Sequence, residues 1–93
     1  MTEELTALPN IGPVLADNLA RIGVETPEQL RTLGAREAFL RIRANLDPGA
    51  CLHQLQALEG AVQGVKKSAL SPQTKAALRE FFCAASNVGR GDG

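Results

Sequence analysis

The segment Leu8-Pro9-Asn10-Ile11-Gly12-Pro13 is the part of this 93-residue chain best equipped for chemistry. A proline–glycine turn that opens onto a helix can lay backbone amides against a phosphate. The first N–H groups of a helix have no intrahelical acceptor, and the helix dipole favours an anion there. In the phosphate-binding form of such a turn two glycines let the backbone approach the ligand. Here Gly12 supplies the second glycine, and the spacing leads us to expect a positive φ at this residue. Asn10 stands in place of the first. Asparagine enters the left-handed region more readily than other side-chain-bearing residues, but its side chain would crowd the surface. Pro13 removes one further donor. The other reading of Pro9, Asn10, Ile11 and Gly12 is a tight interhelical turn that packs or docks and holds no ligand.

Basic residues form the second constellation. Arg36 and Arg43 lie seven apart in a helical segment, so they share a face with Leu40 between them. With Lys66-Lys67, they are the groups that could meet an anionic partner. The plainer reading is a solvated helix face.

Catalytic groupings are lacking. His53 is the one histidine, and Cys51 lies two residues from it, on a different helix face. No spacing argues for a nucleophile–base pair, a glycine-rich phosphate loop or a metal quartet. Neither an enzymatic activity nor a cofactor is implied. Cys51 and Cys83 fall on apolar helix faces and read as reduced core thiols.

Composition narrows the classes further. Three Phe and no Tyr or Trp make a base-stacking platform for single strands a poor fit. No apolar run approaches the ~20 residues of a membrane span. The acidic start, Met1-Thr2-Glu3-Glu4, is unlike a signal peptide, so a cytoplasmic protein is expected. Net charge is zero but unevenly spread. Residues 1–34 carry five acids against two bases, and residues 35–93 carry eight bases against five acids. The hairpin half is therefore the acidic half, which argues against a strong DNA clamp.

These residues need a scaffold, and the periodicity makes it all-α: no stretch alternates as a half-buried strand would. A short helix is expected over Thr2–Leu8. A second starts at Pro13, with Val14, Leu15, Leu19 and Ile22 as its buried stripe and Gly23 beyond its end. Thr26-Pro27 caps a third, closed by Gly34. A fourth runs over Ala35–Asn45 on Phe39, Ile42 and Leu46, with Glu37 and Arg41 paired outside. Asp47-Pro48 is read as the cap of a fifth and longest helix, reaching about Gln63 along Cys51, Leu55, Leu58 and Val62. Its Gly60 and Gly64 each cost about 0.8–1 kcal/mol against Ala in a helix interior. That cost implies close approach of another helix, or, for Gly64, a helix end. Ser71-Pro72 starts the last helix, with Leu78, Phe81, Phe82 and Ala85. Residues 1–86 make one compact domain of five or six helices, and the glycine-rich 87–93 reads as a disordered tail in which Arg90-Gly91-Asp92 occurs by chance. The order turn, helix, Gly23, helix over Leu8–Leu33 is the helix-hairpin-helix layout.

The runs Leu8-Pro9-Asn10-Ile11-Gly12-Pro13, Leu19-Ala20-Arg21-Ile22-Gly23-Val24 and Thr26-Pro27 resemble the C-terminal domain of the TfoX/Sxy family of bacterial competence regulators. So do Leu33–Phe39, Asp47–Leu52 and Ala57–Gly64. The resemblance covers about residues 5–82. It implies a free-standing SAM-like domain of helix-hairpin-helix type, with a direct or indirect role in transcriptional activation of DNA-uptake genes. It supplies no catalytic residues. A protein partner is expected. Weak, sequence-nonspecific DNA binding through the hairpin and nearby arginines is the alternative, and no membrane contact is expected.

Overall fold

A computed structural model describes residues 4–88, and the side-chain surroundings of 4–85. A 3-10 turn at Leu5–Ala7 leads into α1 (Pro13–Arg21), α2 (Pro27–Leu33), α3 (Ala35–Asn45) and α4 (Leu52–Gln63). A second 3-10 turn, Lys67–Ala69, precedes α5 (Pro72–Val88). There is no strand among the described residues. The radius of gyration, 12.9 Å, is that of a compact domain of this size. α4 is the spine: α2, α3, α5 and the second 3-10 turn all pack on it.

Local chemistry fixes most of the boundaries. Thr26 and Gln29 form a reciprocal capping box, with Gln29 N donating to Thr26 Oγ1 at 3.1 Å and Thr26 N to Gln29 Oε1 at 3.2 Å. Pro27 follows at N1, as expected. Ser71 Oγ accepts from Thr74 N at 3.1 Å and starts α5 in the same way. Two helices end in the same left-handed closure. Gly23 N and Val24 N reach Ala20 O and Leu19 O, while Gly64 N and Val65 N reach Ala61 O and Gly60 O. That pairing needs a positive φ at its turning residue, and the two glycines supply 92° and 79°.

One continuous core joins the five helices and the first 3-10 turn. Leu19, Leu30, Phe39, Ile42, Leu55, Leu58 and Leu78 are fully buried within it. Glu37 and Arg41 pair on the outside of α3 at 3.0 Å, as their spacing required.

Six expectations are corrected. The first helix is only a 3-10 turn over Leu5–Ala7 among the described residues. Asp47-Pro48 does not cap a helix. Asp47 Oδ1 accepts from Gly49 N at 3.0 Å and Asp47 O from Ala50 N at 3.0 Å, so its oxygens close a local turn. α4 starts after Cys51, and α5, with 17 residues, is the longest helix. Val14 is 76% exposed and not part of the α1 stripe. Cys51 and Cys83 are exposed. Cys51 is the extended N-cap of α4, before helical phase begins. Cys83 lies five residues after buried Leu78, which carries it to the opposite side of α5. Asn87 and Val88, assigned to the tail, belong to α5; residues 89–93, with Arg90-Gly91-Asp92, lie outside the described residues.

Candidate functional site

The hairpin turn is built around Asn10, whose side chain faces inward, while Gly12 and Pro13 stay exposed. Asn10 is the one non-glycine residue with positive φ, 70°, among the described residues. Leu8 and Ile11 on either side are buried and anchor the turn in the core. Asn10 Nδ2 donates to Val65 O at 3.0 Å and to Ala57 O at 3.4 Å, and its Oδ1 accepts from Lys67 N at 3.0 Å. One amide thus bonds backbone groups in the middle of α4 and in the loop beyond it, 47 to 57 residues away in sequence. The side chain that was expected to crowd the surface clamps the fold instead.

Gly60 makes that clamp sterically feasible. A Cβ at position 60 would lie 2.5 Å from Asn10 Nδ2 and 2.7 Å from Val65 O. The close approach read from the interior glycine is real, but the approaching group is a turn side chain and a loop carbonyl, not a helix.

Gly12 departs from expectation. Its φ of −93° and ψ of −178° are extended values open to any residue, and a Cβ there would meet nothing within 4 Å. The left-handed role belongs to Asn10, which spares Gly12 from it. Gly12 is the N-cap of α1 and its carbonyl accepts from Ala16 N at 2.9 Å. Pro13 contributes no N–H, so the open amides of the first turn are those of Val14 and Leu15.

The basic residues divide into two groups. Lys66 and Lys67 are exposed and are drawn beside the hairpin by the Lys67 N–Asn10 Oδ1 bond. Arg36 and Arg43 lie elsewhere, against α5. The Arg36 guanidinium sits 5.7 Å from the Phe81 ring centre. Arg43 lies 5.8 Å and 6.0 Å from the Phe39 and Phe82 rings and donates from Nη2 to Ala85 O at 3.1 Å. Phe39 and Phe82 contact each other at 5.9 Å in a tilted arrangement. Both arginines therefore fasten the C-terminal half of α5 to α3.

Among the grooves on the surface, two are of interest. One, of about 580 Å³, is lined by Ile22, Val24, Thr32 and Leu33, with Glu28 and Arg41 at its edges. The other, of about 340 Å³, runs between α3 and α5 over Leu40, Phe81, Ala84 and Ala85. The second was not foreseen. The signal for it is Phe81-Phe82-Cys83-Ala84-Ala85, five apolar residues that cover every side of a helix of which α3 and α4 cover only part.

His53 is exposed. No group of three or more His, Cys, Asp or Glu among the described residues could hold a metal ion. No helix among them is long and apolar enough to cross a membrane.

Comparison with known proteins places this arrangement. The model of the TfoX C-terminal domain matches residues 1–82. This chain belongs to the TfoX C-terminal domain family. Two solved structures share the fold of this family member closely. An uncharacterised protein from Listeria monocytogenes, in a triclinic crystal form, is 43% identical with a TM-score of 0.88, over 90% of this chain and 94% of that one. A protein of unknown function from the same organism, in a tetragonal form, is 44% identical with a TM-score of 0.84, over 87% and 98%. No curated protein matches the chain.

Proposed function

We propose that this chain is a non-catalytic interaction domain that docks to a protein partner in transcription regulation, as its family's link to competence implies. The cytoplasm is its place of action. The observation that carries this reading is the inward engagement of the hairpin. Asn10 engages both ends of its amide with Ala57, Val65 and Lys67, so this side chain serves the fold and is not free for a ligand. Arg36 and Arg43, which a DNA-binding role would aim at phosphates, stack on Phe81, Phe39 and Phe82. The helix-hairpin-helix layout then serves as a packing unit within a SAM-like globule, and its outer helices supply the docking faces.

A second reading, weak and sequence-nonspecific DNA binding, draws on one specific feature. The bond from Lys67 N to Asn10 Oδ1 brings two lysines to the hairpin and offsets the acidic balance of residues 1–34. In this reading the contacts are Pro9 to Gly12, Lys66 and Lys67, while Arg36 and Arg43 lie on another face.

Affinity capture with the whole chain, with and without nuclease, separates the two. Docking expects specific protein partners whose recovery nuclease leaves unchanged. Recovery that disappears with nuclease contradicts it.

A further inference from the structure

We propose that the groove between α3 and α5 is a self-complementary face on which two copies of this chain pair, Arg36 of each copy meeting Glu80 of the other. This goes beyond docking to a different protein and does not depend on it.

The floor of the groove is Leu40 on α3 and Phe81, Ala84 and Ala85 on α5. Leu40 and Phe81 are only half-buried and Ala84 is exposed, so apolar surface faces water there. The volume, about 340 Å³, is at the low end for a small-molecule site. The small side chains of Ala84 and Ala85 let another backbone come close.

One charge stands on each bank, and the two are of opposite sign. Arg36 is exposed on the α3 bank. Glu80 is exposed on the α5 bank, four residues before Ala84 and on the same side of the helix. Each is isolated on its own helix. The residues three and four positions from Arg36 are Thr32, Leu33, Phe39 and Leu40, and those from Glu80 are Ala76, Ala77, Cys83 and Ala84. Neither has a counter-charge at the spacing that pairs Asp17 with Arg21 and Glu37 with Arg41. Nor do they pair with each other. The Arg36 guanidinium is stacked over Phe81, 5.7 Å from its ring centre, and Glu80 points about 100° further round α5.

That stack also sets their level. Arg36 stands beside Phe81, which adjoins Glu80, so the two charges flank the groove at one height. α3 and α5 run the same way here, since Arg36 meets Phe81 and Arg43 meets Ala85 O. Leu40 and Ala84, each one turn further on, are therefore level as well. A two-fold axis along the groove lays the α3 bank of each copy over the α5 bank of the other at the same height. Arg36 then meets Glu80 twice, and Leu40 of each copy covers Ala84 of the other. An isologous interface requires a patch complementary to itself. Unpaired charges of opposite sign on the two banks meet that requirement; like charges would not.

The test is sedimentation of the whole chain over a range of concentrations at low salt. The patch is small, so we expect a weak dimer, with a dissociation constant on the order of 100 μM. Arg36→Glu and Glu80→Arg each set like charges against one another at both contacts, and each should weaken the dimer about tenfold or more. Arg36→Gln should weaken it about threefold. An equimolar mixture of the Arg36→Glu and Glu80→Arg chains should dimerise again, because both contacts of the mixed pair are then opposite in charge. The chain carrying both changes should dimerise within about threefold of wild type. Circular dichroism checks that each variant is folded; if Arg36→Glu is not, Arg36→Gln and Glu80→Arg carry the test. A wild type that stays monomeric at millimolar concentration, a dimer indifferent to the single changes, or a mixture no better than its components overturns the proposal. A monomer leaves docking to another protein standing, and nuclease-resistant capture tests that separately.

Discussion

Asn10 can bond the backbone around α4 only because residue 60 is glycine. The Nδ2 atom lies 2.5 Å from where a Cβ at position 60 would stand, and 3.0 Å from the Val65 carbonyl it serves. A residue in the first turn and a residue deep in α4 are thus chosen together.

Gly60→Ala therefore poses a contest of known sign. Helix propensity favours alanine by about 0.8–1 kcal/mol. Displacing Asn10 and the Val65 carbonyl costs about 1–3 kcal/mol through lost hydrogen bonds and overpacking. We expect net destabilisation in urea unfolding. Asn10→Gly keeps the positive φ and loses the three bonds, and should cost about 1–3 kcal/mol. The double variant should be less damaging than the sum of the singles, since each removes the same contact. Strict additivity would show that the two residues do not depend on each other.

At Gly12 the opposite outcome is expected. Its backbone is extended and its Cβ position is empty, so Gly12→Ala should shift stability by no more than about 0.5 kcal/mol. Gly64→Ala, at φ 79°, should cost about 1 kcal/mol or more. Thermal midpoints of the two variants, compared side by side, check the assignment; equal losses would contradict it.

Those two glycines also mark how far the sequence could be read. Caps and stops were legible wherever the chemistry is local: Thr26-Pro27, Ser71-Pro72, Gly23 and Gly34 act where their neighbours said they would, and Gly64 takes the helix end, one of the two readings open to it. Asp47-Pro48 misled because an aspartate can close a two-residue turn as readily as cap a helix, and no local signal decides between them. Gly12 misled because Asn10 had already taken the left-handed position. The Asn10 clamp spans up to 57 residues, and no periodicity reports a bond of that range; Gly60 alone hinted at it. Arg36 and Arg43 were placed correctly on one face, but their aromatic partners on α5 depend on how two helices cross.

Arg43 and Arg36 should differ when truncated. Arg43→Ala loses the bond to Ala85 O and stacking on two rings, a cost of about 1–2 kcal/mol. Arg36→Ala, exposed over one ring, should cost about 0.5–1 kcal/mol. Hydrogen exchange of α5 amides should rise more in the Arg43 variant. The reverse order would mean that Arg43 does not hold the C-terminal half of α5 in place.

The central claim is that the hairpin secures the fold and does not grip nucleic acid. Titration of a labelled DNA duplex with the whole chain, at low and at physiological salt, tests it most directly. A phosphate-binding turn gives an affinity that falls steeply with salt. We expect at most weak binding at low salt and none at physiological ionic strength. Submicromolar affinity at physiological salt, lost on replacing Lys66 and Lys67 beside Asn10, would contradict the claim.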